Sequence, residues 1–280
     1  MTVGTGPVRA VLSVGDDRVT VVRGGRGDPV VYLHGVCDIH AAFPGDAWTP
    51  FLARLAEHAE VVAPALPGYN ASTGTDRLED VEDYVWHLGD LWAALGLGRV
   101  DVVGHSLGGW LAAELALRRP ELVRRLALVA PLGLHVPGLA VPPFFGAVAP
   151  RGVGGAGEAR RLLFADPDGD PAGAALPDVM ARDQQLLWFG GLAGAARLGW
   201  KAPHFQSRKL AARLGRIGVD TLVVCGDGDV LVPAVMARAW VDGLASARLV
   251  AVPGAGHCVA LEAPEAVHEV VRFLAAGAGP

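Results

Sequence analysis

Val100-Asp101-Val102-Val103-Gly104-His105-Ser106-Leu107-Gly108-Gly109-Trp110-Leu111 is the stretch from which the rest of the chain can be read. Its first four residues are mostly β-branched, as a short strand requires. From Leu107 the apolar spacing changes to that of a helix, and Pro120 stops it. Between the two lies Gly104-His105-Ser106-Leu107-Gly108, a G-x-S-x-G pattern on a strand-to-helix turn. A serine at such a bend is held in a strained backbone conformation, and small neighbours let the chain pass closely. The turn pushes the Ser106 hydroxyl out of the sheet. It also aims the Leu107 amide and the helix N-terminus at the same space.

Outward from this turn, short strand-like runs alternate with longer helical patterns. Strands are expected at Arg9–Val14, Arg18–Arg23, Val30–Leu33, Glu60–Ala63, Val100–Val103, Leu126–Val129, Thr221–Cys225 and Arg248–Val252. From the third onward these runs are almost wholly apolar, as in strands covered on both faces. Gly15-Asp16-Asp17 between the first two reads as a hairpin turn, so the sheet starts antiparallel. Helical patterns cover Trp48–His58, Leu78–Leu95, Leu107–Arg118, Pro233–Leu244 and Pro264–Ala275. The expected class is α/β, with a mostly parallel eight-stranded sheet flanked by helices. The rhythm breaks from Pro131 to Gly215, where no strand is expected and helical patterns surround Ala181–Leu187 and Leu192–Gly199. Residues 1–130 and 216–280 therefore read as two parts of one core, and 131–215 as an inserted helical lid.

The 280 residues are 51% hydrophobic and 19% charged, and mean hydropathy is +0.35, which excludes a disordered chain. Twenty-four basic against 29 acidic residues give a net charge of −5, which argues against nucleic acid or a polybasic membrane contact. No apolar run approaches the ~18 residues of a membrane span, and the N-terminus lacks a signal-peptide pattern, so a cytoplasmic location is expected. Cys37, Cys225 and Cys258 form no CxxC pair, which excludes a disulfide framework and a cysteine zinc cluster. Cys37 and Cys258 read as small packing residues. Asp166-Pro167-Asp168-Gly169-Asp170 lacks the order and terminal Glu of a calcium loop. The Gly152–Gly157 run neither follows a strand nor ends in Lys-Ser/Thr, so it is no phosphate cradle.

A serine hydroxyl needs a base at neutral pH. His257, in Pro253-Gly254-Ala255-Gly256-His257, sits in a loop between the last strand and the last helix and is the candidate. His58, His87 and His268 fall within helical patterns, and His135 and His204 within the insertion. His105 is next to Ser106 but points elsewhere by alternation around the turn. His34 and His40 lie beside the same sheet edge and are candidates to line a pocket. Asp229, just past the strand ending at Cys225, is the candidate to orient the base, with Asp227 two residues earlier as its rival. The Val36 amide in Leu33-His34-Gly35-Val36 is the candidate to meet the Leu107 amide as a pair of oxyanion donors.

His34-Gly35-Val36, Gly104–Gly109, Gly226–Pro233 and Gly254–His257 together resemble the α/β-hydrolase superfamily, in its branch of lidded esterases, C–C hydrolases and haloperoxidase-like proteins. Pro64-Ala65-Leu66-Pro67-Gly68-Tyr69 resembles that branch too. The resemblance implies Ser106 as nucleophile, His257 as base, Asp229 as its acid, and the Val36 and Leu107 amides as oxyanion hole. The serine at 106 departs from the Asp-nucleophile epoxide hydrolases and dehalogenases and argues against those activities. His34-Gly35-Val36-Cys37 differs from the HGGG loop of one lipase group.

The insertion carries Phe144, Phe145, Phe164, Trp188, Phe189, Trp200 and Phe205, seven of the fifteen Phe and Trp. Large apolar side chains there favour an apolar acyl or alcohol group, with His34, Phe144, Phe145 and Trp188 as candidate substrate contacts. The expected activity is hydrolysis of a carboxylic ester, lactone or thioester through an acyl-enzyme, with no metal or organic cofactor. The alternatives are C–C hydrolysis of a vinylogous diketone or a natural-product tailoring step with the same residues, and a non-catalytic binding protein of the same fold.

Overall fold

The computed structural model describes residues 6–37, 48–148 and 155–276. The described strands are β1 (Val8–Val14), β2 (Asp17–Gly25), β3 (Pro29–Leu33), β4 (Glu60–Pro64), β5 (Val100–His105), β6 (Val123–Val129), β7 (Gly133–Leu134), β8 (Gln206–Ser207), β9 (Thr221–Gly226) and β10 (Ala247–Val252). The described helices are α1 (Pro50–Ala56), α2 (Val81–Ala94), α3 (Leu107–Arg118), α4 (Phe144–Val148), α5 (Gly155–Leu163), α6 (Asp170–Ala175), α7 (Arg182–Gly199), α8 (Arg208–Ala211), α9 (Ala234–Gly243), α10 (Val259–Glu262) and α11 (Val267–Ala275).

Eight strands form one sheet in the order β1-β2-β4-β3-β5-β6-β9-β10. β2 pairs antiparallel with both β1 and β4, and every other pairing is parallel, so β2 alone runs counter to the rest. The two-fold alternation of side chains along each strand feeds two cores. Val31, Leu33, Val102, Leu126, Leu128 and Val223 face α2, α3 and α9, where Leu88, Trp92, Leu111 and Trp240 are buried. Val30, Tyr32, Val103, Ala127, Val129 and Val224 face α1 and α11, where Phe51, Leu52, Val267 and Val270 are buried. Continuous apolar strands are thus covered on both sides, as parallel sheets require.

α4–α7 form a helical insertion between β6 and β9. The insertion was expected to lack strands, but β7 and β8 pair in parallel at its two ends, Gly133 with Gln206 and Leu134 with Ser207. Two-residue strands are too short to show a period. α7 is one helix where two patterns were expected, and it runs unbroken through Gly190 and Gly191. Its small residues let it lie against the loop after β4: a Cβ on Gly191 would sit 2.5 Å from the Tyr69 ring, and one on Gly194 2.6 Å from the Pro67 carbonyl. The pattern Pro264–Ala275 resolves into a 3-10 turn, Pro264–Ala266, followed by α11. Among the described residues, no helix is long and apolar enough to cross a membrane.

Candidate active site

The sheet order places β3 between β4 and β5, and the connection from β4 to β5 crosses to the far side of β3. This makes a switch point where a crevice opens beyond the carboxyl ends of the strands. Leu33 pairs with Gly104, so the residues after β3 lie beside those after β5. Ser106 follows β5 and heads α3, with φ 55° and ψ −115°. Its amide donates to the Val129 carbonyl at 2.9 Å, and its own carbonyl accepts from the Trp110 and Leu132 amides at 3.1 Å each. Those bonds hold a backbone conformation that costs on the order of 1–3 kcal/mol. Glycine is required beside it: a Cβ on Gly108 would meet the Leu33 carbonyl oxygen at 2.1 Å, and one on Gly104 the Gly108 carbonyl oxygen at 2.5 Å.

The Ser106 hydroxyl lies 2.8 Å from His257 Nε2, and His257 Nδ1 lies 2.9 Å from Asp229 Oδ2. All three side chains are buried. A carboxylate accepts only, so Nδ1 carries the ring proton and Nε2 is left to accept from the serine. The other Asp229 oxygen accepts from the Leu231 amide at 2.8 Å and the Val232 amide at 2.9 Å, which locks the carboxylate. Asp227 serves the loop instead: it is exposed, and its Oδ1 accepts from the Gly254 amide at 2.8 Å. The structure thus brings Ser106, His257 and Asp229 together and leaves Asp227 outside.

A cavity beside Ser106 is lined by Gly35, Val36, Cys37, His105, Phe144, Leu163, His257 and Cys258. Among the described residues, neither the Val36 nor the Leu107 amide has a main-chain acceptor. Burial pushes the Cys258 thiol well above its ordinary value, in keeping with a packing role.

Of the four candidate substrate contacts, Phe144 lines this cavity. Phe145 stacks on Phe205 at 5.2 Å and tilts against Trp200 at 5.0 Å. The Trp188 indole donates to the Val148 carbonyl at 2.9 Å. His34 is buried with both ring nitrogens on main chain: Nδ1 at 2.8 Å from the Gly35 carbonyl and Nε2 accepting from the Leu66 amide at 2.9 Å. These three are not among the cavity-lining residues. His40 lies outside the described residues, as do Gly152–Gly154 of the glycine run.

Two residues escaped sequence reading. His105 was expected to point elsewhere, yet its Nε2 sits 3.1 Å from the His257 carbonyl and its ring centre 5.2 Å from that of His257. Glu262 accepts from the Gly256 amide with one oxygen and from the Ala165 and Asp166 amides with the other, at 2.7, 2.7 and 3.3 Å. It thereby ties the His257 loop to the insertion. Neither role has a local signal, because each partner is remote in sequence or belongs to the main chain.

A model of the alpha/beta hydrolase family matches residues 30–270. The 2-hydroxy-6-oxo-2,4-heptadienoate hydrolase of Pseudomonas putida is 37% identical over 111 residues, which span 39% of this chain and 40% of that protein. Polyketide synthase ThaQ of Burkholderia thailandensis is 31% identical over 270 residues, 93% of this chain but 12% of the synthase. The chain therefore spans less than half the length of these curated relatives. Among solved structures, a 2-hydroxy-6-oxo-6-phenylhexa-2,4-dienoate hydrolase from a Rhodococcus species superposes with a TM-score of 0.76 at 23% identity, covering 96% of this chain and 98% of that one. Naproxen esterase from Bacillus subtilis does so with a TM-score of 0.73 at 21% identity, covering 95% and 91%. At these identities the likeness is one of fold.

Proposed function

The chain belongs to the alpha/beta hydrolase family, and from that premise we propose that it is a serine hydrolase that cleaves a carboxylic ester, lactone or thioester of a largely apolar small molecule. The observation that carries this is the Ser106 hydroxyl 2.8 Å from a histidine nitrogen whose partner nitrogen is held by Asp229. His257 Nε2 takes the serine proton as Ser106 Oγ attacks the carbonyl carbon. Asp229 stabilises the imidazolium that forms. The Val36 and Leu107 amides hold the negative oxygen. His257 then gives the proton to the leaving alcohol, and an acyl-serine remains. Water, activated by the same imidazole, releases the acid.

Phe144, Leu163 and the two thiols favour an apolar acyl group. No Lys or Arg is among the described residues that line the cavity, which favours a neutral group over a carboxylate. In this reading 131–215 is a lid inserted between core parts 1–130 and 216–280. C–C hydrolysis is the second reading, supported by the likeness to the Pseudomonas and Rhodococcus hydrolases. Turnover of short p-nitrophenyl esters beside a vinylogous ring-fission diketone tests the two. Ester turnover is expected to exceed diketone turnover and to vanish in Ser106→Ala, which keeps the wild-type melting temperature. Faster cleavage of the diketone favours the second reading. Turnover of neither leaves a binding protein.

A further inference from the structure

We propose that His34 is a positioning residue, which aims the Val36 amide into the oxyanion hole by holding the other end of the same peptide group. The inference rests on the role given above to Val36. A peptide unit is planar, so the Gly35 carbonyl and the Val36 amide turn together. The Gly35 carbonyl lies 2.8 Å from His34 Nδ1. The Leu66 amide can only donate, so Nε2 of His34 is the acceptor and Nδ1 carries the proton that the Gly35 carbonyl receives. Turning the Val36 amide away from the cavity breaks that bond inside a buried environment. A donor on the carbonyl also polarises the peptide and strengthens its N–H as a donor.

The following peptide is held in the same way. The Tyr69 hydroxyl donates to the Val36 carbonyl at 2.7 Å, and the Tyr69 and His34 rings meet edge to face with centres 4.5 Å apart. Val36 is thus fixed on both sides by groups that the loop after β4 supports, through the Leu66 amide and Tyr69 itself. Packing alone does not require both ring nitrogens of a buried imidazole to meet main chain at these two points.

Two substitutions separate the two nitrogens. The side-chain nitrogen of Asn falls where Nδ1 is, and the side-chain oxygen of Gln falls where Nε2 is. His34→Gln keeps the Leu66 bond and loses the Gly35 bond. His34→Asn does the reverse. In the full chain, His34→Gln is expected to lower kcat for a short p-nitrophenyl ester about tenfold to hundredfold, with KM near wild type and a melting temperature no lower than that of His34→Asn. His34→Asn is expected to melt earlier, yet to restore kcat toward wild type at temperatures well below its midpoint. Unchanged kcat in His34→Gln overturns the inference, as does a loss of kcat that tracks the fall in melting temperature across both variants. A wild-type chain whose Ser106 neither turns over esters nor reacts with a fluorophosphonate overturns the proposed function, and this inference with it.

Discussion

At the scale of single residues, His34 links stability to pH. Burial pushes its imidazole from 6.5 down to about 4, partly countered by its bond to the Gly35 carbonyl. The native state therefore binds fewer protons than the unfolded chain between those values, and stability rises with pH across that window. The contribution is fully present above pH 6.5 and is lost as the pH falls through 4. It amounts to about 2 kcal/mol between pH 7.5 and pH 5. Urea midpoints of the wild type are expected to fall over that interval by more than those of His34→Gln, which has nothing to titrate there. An equal fall in both would exclude this origin. Ser106 and His257 were legible as candidates because the bend around Ser106 needs glycine at fixed positions and because a histidine in a post-strand loop has few structural duties. His34 was read as a pocket residue, since its sequence neighbours do not reveal that Leu66 sits over its far nitrogen.

At the scale of elements, the loop bearing His257 owes its place to a short helix absent from the sequence reading. α10 is four residues long, too short for a period, but it carries Glu262 back over the loop. One carboxylate accepts from amides on both sides of the seam between core and insertion. The Cys258 amide adds a bond to the Leu163 carbonyl at 2.9 Å. Hydrogen bonds to a charged group are worth about 1.5–3 kcal/mol each. Glu262→Ala is expected to speed amide hydrogen exchange in the segments 163–166 and 254–258 together, with β5 and α3 unchanged. Faster exchange in only one of the two would show that the carboxylate is no bridge. The long helices were legible because a buried stripe leaves a 3.6-residue period over many turns. The contacts at the seam were not, since they are made by main-chain atoms that every residue carries.

At the scale of the molecule, the two ends of the sheet do different work. At the amino end of β5, Asp101 is buried and accepts from Arg124 Nε and Nη2 at 2.9 Å each, while Arg124 Nη1 donates to Asp28 at 3.0 Å. That paired charge fastens neighbouring strands. At the carboxyl ends, β3, β5, β9 and β10 deliver Val36, Ser106, Asp229 and His257 to one crevice. The alternation of apolar runs and helical patterns made a mostly parallel, eight-stranded sheet readable, though not the order of its strands. The insertion was readable as a break in that rhythm, but not in its contacts. Its aromatic side chains divide between the cavity, where Phe144 lies, and their own packing, where Phe145 meets Phe205, and composition alone does not distinguish the two. The central claim is that the Ser106 hydroxyl is made reactive by His257 held on Asp229. Its most direct test is the rate at which a fluorophosphonate modifies the chain, with the adduct located by peptide mass. The adduct is expected on Ser106, formed about 10³-fold more slowly in Asp229→Asn and at the wild-type rate in Asp227→Asn. An adduct elsewhere, or equal rates in all three proteins, would contradict it.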